Sequence, residues 1–372
     1  MKKDNLINEA CFAKSFMMLG NSLNFCFNCS YCRVGCEKNQ KQEYLTLPCQ
    51  INPYFTNIPI AVNLFYGDPL LQIENTIKIL KILEEAKHKG PVIIVTKGDF
   101  SLFPDIPFNL DLHVAFSTFG VNSKFDGSTM ERFESNLNQT KVRKNNYRYS
   151  IEFRPICYNI NDSEEVFRKV LSLAKAYNMA VGYSGLQGKP ESVKYWQKNN
   201  IELSPYPEFK FGHKKIISKE KQEMFQNLAK EYNVPIFKKT SCLFSYVHNL
   251  ERDYNAHYYR PNEVGCSGCP MEQKCMSYKE HLQSKEFNEL LPFKHTIVEK
   301  QNHECILKKK RICNFPTDDC SHISGKIIKT DEKLTTSDVR VIKWLTGMTV
   351  DSDFYESSKI SNFWREKNEN KK

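Results

Sequence analysis

The chain has 372 residues, of which 40% are hydrophobic and 26% are charged, and its formal net charge is +10. This composition is ordinary for a soluble globular protein, and the length suffices for one large domain with an appendage. No stretch reaches the roughly 18 continuous apolar residues of a membrane span, and charged residues interrupt the apolar region near the N-terminus, so we expect neither a membrane anchor nor a signal peptide.

The first predicted element is a strand that leads into a cysteine-rich loop. Apolar residues from Phe16 to Leu19 precede Cys26, Cys29 and Cys32, and Cys36 follows four residues later. Cysteines this close in sequence do not form unstrained disulfides with one another, whereas thiolates at two-residue spacing converge on one soft metal centre. The loop predicts an iron–sulfur site. A structural zinc site, with Cys36 as the fourth ligand, is the alternative.

Strand-like and helix-like patterns alternate between residues 59 and 185. The predicted strands are Pro59–Tyr66, Val92–Val95, Leu112–Phe116, Tyr149–Arg154 and Ala180–Tyr183. The predicted helices are Glu74–Lys87, Met130–Lys141 and one that follows the capping cluster Asn161–Glu165 and ends at Tyr177. With the strand before the cysteine loop, these elements predict an α/β fold, a partial (β/α)6 TIM-type barrel.

In parallel barrels, chemistry collects on the loops that follow the carboxyl ends of the strands. The segments that fall there are the first cysteines, Gly67-Asp68-Pro69, Thr96-Lys97, Ser117, Cys157 and Ser184. We therefore expect the active site at this edge.

A second cysteine group lies beyond the predicted barrel. Cys242, Cys266, Cys269 and Cys275 form a complete ligand set for one iron–sulfur cluster or one zinc ion. The chain has 14 cysteines, and their clustering indicates metal ligation in a reducing, cytoplasmic compartment rather than a secreted disulfide framework. A looser third group, Cys305, Cys313 and Cys320, fits no metal motif, and we interpret it as free thiols.

Three regions are predicted. The barrel occupies residues 1–205, a cysteine-rich metal region residues 206–330, and a helical segment residues 331–372. Two helices are expected between Leu334 and Lys367.

The net positive charge of the chain has two interpretations. Basic runs occur at residues 141–144, followed by Tyr147 and Arg148, and at residues 308–311. A solvated lysine-rich surface is the simpler interpretation, and a binding surface for nucleic acid or a phosphorylated substrate is the alternative.

Four motifs in order resemble those of the radical SAM superfamily, across roughly residues 15 to 200. Cys29-Ser-Tyr-Cys32 matches the end of the family's cluster loop, and Tyr66-Gly67-Asp68-Pro69 resembles its second-strand motif. The segment that begins at Arg154-Pro155-Ile156 resembles its fifth strand and loop, and the segment from Gly182 to Gly188 resembles its adenine-binding sixth strand. Cys26 stands one residue later than the family's first cysteine.

The resemblance implies a set of site residues. The cluster ligands would be Cys26, Cys29 and Cys32, with Cys29, Cys32 and Cys36 as the alternative set. S-adenosylmethionine would contact Tyr66, Gly67, Asp68, Pro69, Ser117, Glu152, Arg154, Ser184 and Gly185. Asp68 would hold its methionine amine, while an ion pair inside the barrel is the alternative role for Glu152 and Arg154.

The resemblance also implies a mechanism. Three thiolates leave one iron of a four-iron four-sulfur cluster free to bind S-adenosylmethionine. One electron from an external donor such as flavodoxin or ferredoxin then yields methionine and a 5′-deoxyadenosyl radical, which abstracts hydrogen from a substrate.

Two finer resemblances concern the substrate chemistry. The second cysteine group resembles part of the auxiliary-cluster domains, SPASM and twitch. Cys157 could return a hydrogen atom, as in the spore photoproduct lyase branch, or could be a small buried cysteine. We expect an enzyme that acts on an unidentified small molecule or peptide. Nucleic-acid repair or modification is the first alternative, and a non-enzymatic zinc-binding adaptor is the second.

Overall fold

The computed structural model describes residues 6–8, 17–19, 29, 60–62, 68–105, 108–143, 145–187, 194, 196–198, 200, 215–250, 269–271, 291, 293–299, 326–332, 334–335, 349–352 and 355–356. The helices are α1 (Ile73–Glu85), α2 (Met130–Val142), α3 (Glu164–Ala176), α4 (Lys219–Tyr232) and α5 (Thr240–Val247), with 3-10 helices at Pro69–Gln72 and Phe100–Leu102. The strands are β1 (Leu6–Asn8), β2 (Met17–Leu19), β3 (Ile60–Val62), β4 (Val92–Thr96), β5 (Leu112–Thr118), β6 (Arg148–Ile156), β7 (Val181–Gln187), β8 (Lys215–Ser218), β9 (Ile236–Phe237), β10 (Thr296–Glu299), β11 (Lys326–Thr330), β12 (Leu334–Thr335), β13 (Thr349–Ser352) and β14 (Tyr355–Glu356).

Six parallel strands form the centre of the fold. Strands β2, β3, β4, β5, β6 and β7 pair in the order in which they occur along the chain. A doubly wound sheet reverses this order at a switch point, whereas a TIM-type barrel keeps it. The predicted partial TIM-type barrel is confirmed. The predicted strands and helices between residues 59 and 185 are present, with ends shifted by a few residues and the first strand described only over Ile60–Val62.

The outer face of the sheet packs against four helices. Alternate strand residues such as Val114 and Phe116 meet the apolar stripes of α1, α2, α3 and α4 in one large core. Hydroxyl side chains cap the N-termini of α2, α3 and α4: Thr129, Ser163 and Ser218 each accept a hydrogen bond from a backbone N–H in the first turn. The caps stabilise the starts of these three helices, and packing holds all four helices against the sheet.

The inner face of the sheet is covered by α5. Ala61, Ile93 and Ala115 lie on this face and form a second core with Leu243 and Phe244 of the helix. Small side chains on the strands leave room for the helix to approach, as close packing requires. The helix runs from the carboxyl edge of the sheet to its opposite edge, since Arg154 contacts its first residue and Arg148 donates to the carbonyl of its last.

The sheet continues past the six central strands. β9 pairs parallel to β7 and is thus a short seventh strand, while β8 pairs antiparallel to both β7 and β1. The sheet therefore extends beyond residue 205, where the sequence places the end of the barrel region, and the domain division itself stays a prediction. None of the described helices is both long and apolar enough to cross a bilayer.

The residues described after Leu334 are strands, whereas residues 336–348, where the first of the two predicted helices falls, lie outside the described residues, so that helix stays a prediction. Leu334–Thr335, Thr349–Ser352 and Tyr355–Glu356 are strands. β13 pairs parallel to β11, and β14 pairs parallel to β12. Pairing between distant segments decides strand formation here, and a local sequence pattern does not reveal it.

Candidate active site

The structure describes most of the sequence-predicted site residues. Asp68, Pro69, Ser117, Glu152, Arg154, Cys157, Ser184, Gly185, Cys29, Cys242 and Cys269 can be located. The others lie outside the described residues: Tyr66, Gly67, Cys26, Cys32, Cys36, Cys266 and Cys275.

Asp68 ties together the loops that follow β3 and β4. Its Oδ1 accepts hydrogen bonds from Leu70 N at 2.9 Å and from the Thr96 hydroxyl, and its Oδ2 accepts one from Lys97 N at 2.6 Å. Burial raises the pKa of this carboxyl, and the three hydrogen bonds oppose the rise. Pro69 begins the 3-10 helix that Asp68 caps, where a missing N–H costs nothing.

Ser117, Glu152 and Gly182 form a row across three strands on the inner face. Ser117 is the register partner of Glu152, and Glu152 is the partner of Gly182. The carboxyl group of Glu152 lies over the glycine, because a Cβ on Gly182 would stand only 2.6 Å from Glu152 Oε2. The glycine thus provides the space in which the carboxyl group sits.

Glu152 and Arg154 form the interior ion pair that the sequence leaves as an alternative. Arg154 Nε lies 3.0 Å from Glu152 Oε2, and Arg154 also donates to the Thr240 hydroxyl at 2.7 Å. The Glu152 side chain is only 1% exposed, yet neither of its oxygens accepts a geometrically sound hydrogen bond from the described residues. A buried carboxylate in this state gains from any added donor. The site therefore fits a ligand that carries hydroxyl or ammonium groups.

Ser184 and Gly185 lie on β7, close to the same edge. Ser184 is buried and follows Tyr183, which packs in the outer core, so the alternation of the strand turns Ser184 toward the inner face. Gly185 pairs with Ile156 after a register shift in β6. Pro155, which lacks a backbone donor, occupies this irregular stretch.

Cys29 lies against the loop that follows β5. Its Sγ donates to Asp126 Oδ1 at 3.1 Å and accepts from Gly127 N at 3.3 Å. Lys97, directly after β4, donates to both oxygens of Asp126 at 2.7 Å. The structure thus places a cysteine of the first motif at the carboxyl edge of the barrel. Among the described residues, no three or more His, Cys, Asp or Glu side chains are grouped so that they could hold a metal ion.

Cys157 is fully buried in a small apolar cluster with Phe119, Leu186 and Trp196. Its backbone N–H donates to Asn161 Oδ1 at 2.6 Å. Burial raises the pKa of the thiol far above its ordinary value, so the S–H stays protonated at neutral pH. Only a protonated thiol can give up a hydrogen atom, as the first interpretation of Cys157 requires. Its complete burial is equally typical of a cysteine that only packs in the core.

The two described cysteines of the second group each contact the inner core. Cys242, in α5, and Cys269 both pack against the cluster that contains Met271. Two segments of the second group thus pack against one cluster, and the shared metal site of all four cysteines stays a prediction.

The sequence interpretation missed several polar residues of the barrel. Asp126 and Gly127 contact Cys29 but stand in no recognisable motif. The structure also contains a buried relay at the opposite edge. Asp111 Oδ2 lies 2.8 Å from His248 Nδ1, His248 Nε2 lies 3.2 Å from His113 Nδ1, and His113 Nε2 lies 2.8 Å from the Ser150 hydroxyl.

Two arginines in or near the basic run at residues 141–144 bind other parts of the protein. Arg143 donates to the carbonyls of Phe100 and Phe103 at 2.7 Å each and stacks over the Phe100 ring. Arg148 pairs with Asp111 at 3.0 Å. These two arginines hold loops and helix ends in place, whereas the run at residues 308–311 lies outside the described residues.

Comparisons with known proteins do not show a family for this chain. No protein-family model and no curated protein matches the sequence. Among the solved structures that match is a radical SAM methyltransferase from Sphaerobacter thermophilus, which is 14% identical, with a TM-score of 0.42 over 61% of this chain and 67% of that one. At this identity and TM-score the likeness extends to no residue and no activity, and the assignment of a partial TIM-type barrel follows from the strand order itself.

Proposed function

We propose that this chain is a radical SAM enzyme. The observation that carries the proposal is the position of Cys29, the central cysteine of the Cys26, Cys29, Cys32 loop, at the carboxyl edge of a partial parallel barrel. Barrel enzymes assemble their active sites at this edge.

The inner-face row supports a site for S-adenosylmethionine. Glu152 has a buried carboxyl group with unused acceptor capacity, and Ser117 stands beside it. We infer that Glu152 accepts hydrogen bonds from the ribose hydroxyls and that Ser117 donates a hydrogen bond to them. Arg154 would pair with the carboxylate of the methionine part. Asp68 would receive the ammonium group, and the β7 segment with Ser184 and Gly185 would lie along the adenine.

The cluster, when bound, supplies the electron that splits S-adenosylmethionine into methionine and a 5′-deoxyadenosyl radical. The residues of this chain bind and orient the cofactor and exclude water. Cys157 is proposed as the hydrogen-atom donor to a product radical, because it directly follows β6 at the carboxyl edge of the barrel. An external flavodoxin or ferredoxin would supply the electron, and the substrate class proposed is a small molecule or peptide.

The second cysteine group is proposed to hold an auxiliary cluster. Cys242, Cys266, Cys269 and Cys275 would ligate every iron of this cluster. No iron would be left open to bind S-adenosylmethionine. Support comes from the shared position of Cys242 and Cys269 on the inner core. Structural zinc is the competing occupant.

Anaerobic reconstitution tests the proposal. The protein should be brown, and with dithionite it should release 5′-deoxyadenosine from S-adenosylmethionine. The triple variant Cys26→Ala, Cys29→Ala, Cys32→Ala should lose about four irons and all cleavage. Cys157→Ala, which removes a buried cysteine that is no predicted ligand, is the control and should keep its iron. Full iron retention in the triple variant would overturn the assignment.

A further inference from the structure

Arg154 is held from two sides by residues of two different elements. Its Nε lies 3.0 Å from Glu152 Oε2 on the same strand, and its Nη1 donates to the hydroxyl of Thr240, the first residue of α5, at 2.7 Å. A guanidinium carries five N–H donors in one plane. Among the described residues, none accepts from the other three donors, and the side chain is 21% exposed. One edge of the guanidinium is therefore open to a ligand.

Thr240 is itself held in one position. β9 runs parallel to β7, and α5 begins three residues after β9 ends, so the turn between them lies at the carboxyl edge of the sheet. Leu243 N donates to the Lys239 carbonyl at 3.1 Å and closes the first turn, and Leu243 packs in the inner core. Thr240 is buried, and a β-branched side chain has few accessible rotamers. Its hydroxyl therefore fixes the end of the long arginine side chain.

The charges around Arg154 favour an anion at its open edge. Glu152 offsets the charge of the guanidinium, so the pair alone is nearly neutral. The N-terminus of α5 adds about half a positive charge beside it, and the N-cap residue, Lys239, makes no side-chain hydrogen bond to the first turn. In TIM-type barrels, the loop after the seventh strand and the N-terminus of a short helix often bind an anionic group. The guanidinium and the helix end thus attract the same kind of ligand group.

We propose that Thr240 is a positioning residue, which orients Arg154 toward the carboxylate of S-adenosylmethionine. This role rests on the proposed function, in which Arg154 pairs with that carboxylate. Thr240 and Arg154 together would select a cofactor that carries a carboxylate. The cofactor site would then extend from the barrel strands into α5, and neither the cysteine motifs nor the resemblance assigns Thr240 to it.

Two ligands that differ in one group test this role. Decarboxylated S-adenosylmethionine keeps the adenosine, the sulfonium and the amine but lacks the carboxylate. Thr240→Val removes the hydroxyl and keeps the shape of the side chain. It should weaken the binding of S-adenosylmethionine about three- to tenfold, as the loss of one hydrogen bond predicts, and leave the affinity for the decarboxylated form unchanged.

A double-mutant cycle tests whether Thr240 acts through Arg154. Arg154→Met should weaken the binding of S-adenosylmethionine about tenfold or more, because a charge-assisted hydrogen bond is lost. In that background Thr240→Val should weaken it no further, since the group that Thr240 orients is gone. Independent contributions of the two residues to cofactor affinity would instead add.

The measurement is anaerobic calorimetric titration of the reconstituted full chain with each ligand, together with urea unfolding of each variant. Thr240→Ser keeps the hydroxyl and should retain most of the affinity for S-adenosylmethionine. Thr140→Val is the matched control, because it removes a hydroxyl in α2 that donates to the Leu137 carbonyl at 2.7 Å. This control should change the affinity for neither ligand.

The outcomes separate the role of Thr240 from the proposed function. Equal losses for the two ligands in Thr240→Val would show that Thr240 only supports the fold, and unchanged affinity for both would show that Arg154 needs no positioning. Either result overturns the role of Thr240 and leaves the proposed function standing. If the reconstituted wild type does not bind S-adenosylmethionine, the proposed function is wrong and the role of Thr240 falls with it.

Discussion

Asp68 uses three acceptor positions of its carboxylate within the protein. A carboxylate has about four lone-pair sites, and Leu70 N and the Thr96 hydroxyl occupy those of Oδ1 while Lys97 N takes one of Oδ2. Among the described residues, none occupies the second site on Oδ2, which could accept a hydrogen bond from a ligand ammonium. Asp68 therefore serves the fold and the proposed cofactor site at once.

Asp68→Ala should weaken the binding of S-adenosylmethionine about tenfold or more, because a charge-assisted hydrogen bond is worth roughly 1.5–3 kcal/mol. It should also lower the free energy of unfolding, since Lys97 N and Leu70 N lose their acceptor. Iron content should not change. Equilibrium titration and urea unfolding give the two quantities.

The control for this variant is Asp99→Ala. Asp99 also caps a 3-10 helix, accepting from Ser101 N at 2.9 Å, but it is not among the proposed cofactor contacts. It should cost about 1 kcal/mol of stability and leave cofactor affinity intact. Unaltered affinity in Asp68→Ala would show that the carboxylate serves the loops alone.

Gly182→Ala should displace the carboxyl group of Glu152. The added methyl would stand 2.6 Å from Glu152 Oε2 and 3.0 Å from Leu243 Cδ2, so the variant should lose about 1–3 kcal/mol of stability. Cofactor affinity should fall as well. In a double-mutant cycle with Glu152→Ala, the stability cost of Gly182→Ala should shrink, because most of the clash is gone. Additive costs would contradict this geometry.

The residues around Cys29 show where sequence interpretation ends. The cysteine spacing of the first motif identified Cys29, but Asp126 stands 97 positions away in a loop with no motif. Loops from successive parallel strands meet at one edge, which predicts proximity but not which side chain makes contact. Only the folded structure selects Asp126 from the polar residues of that loop.

At the scale of elements, α5 joins both edges of the sheet. Its first residue, Thr240, accepts from Arg154 near the proposed site, and His248, its C-cap, enters the relay with Asp111 and His113 at the far edge. His113 is completely buried, and its ring also packs edge-on against Phe244 with 4.6 Å between centroids. The relay thus fixes the helix against the inner face.

The relay should make stability depend on pH. Burial and the charge of His248 lower the pKa of His113 well below its ordinary value. The unfolded chain gains a proton on this histidine below about pH 6.5 while the folded chain does not, so stability should fall as pH decreases from there. The loss should reach about 1.4 kcal/mol per pH unit, measured by urea unfolding between pH 8 and pH 5.

Asp111 acts in a separate pH range. Burial raises the pKa of its carboxyl, but the hydrogen bond and charge of His248, with those of Arg148, lower it to about 2. Its contribution is complete above the ordinary pKa of 3.8 and is lost only toward pH 2. His113→Gln, which keeps a donor and an acceptor, should flatten the slope between pH 6.5 and 5. The control variant His295→Gln should leave this slope of unfolding free energy against pH unchanged. Equal slopes in the two variants would show that His113 is not the source of the pH dependence.

Helices and strands could be predicted where the spacing of apolar residues within the element itself defines them. The buried apolar strands and the amphipathic helices α1, α2 and α3 follow from residue spacing, and hydroxyl caps mark the starts of α2 and α3. The short strands β8, β9 and β13 do not, because four residues or fewer carry little periodicity and pairing with distant segments decides their form. The same reason accounts for the strands at Thr349–Ser352 and Tyr355–Glu356, within a range for which the sequence predicts helices.

At the scale of the whole molecule, the inner face joins the barrel to the region that follows it. Cys242 reaches this face within α5, and Cys269 and Met271 reach it from a segment later in the chain. A metal bound by all four cysteines of the second group would connect those segments covalently. The outer core does not contain these cysteines, but it includes Leu291, Phe293, Ile328 and Leu334, so the later chain also packs against the barrel from that side.

The double variant Cys266→Ala, Cys269→Ala should lose about four irons and loosen the segment around residues 266–275, because metal binding and folding are coupled. Limited proteolysis should cut that segment faster, while the central strands β4–β7 and the helices α1–α3 stay protected. The barrel cluster should survive with its paramagnetic signal, since its proposed ligands stand more than two hundred residues earlier in the sequence. Cys305→Ala, a cysteine interpreted as a free thiol, is the control and should change neither iron nor proteolysis. Stoichiometric zinc in the wild type, with iron unchanged in the double variant, would replace the auxiliary cluster by a structural zinc site and leave the radical chemistry to the barrel alone.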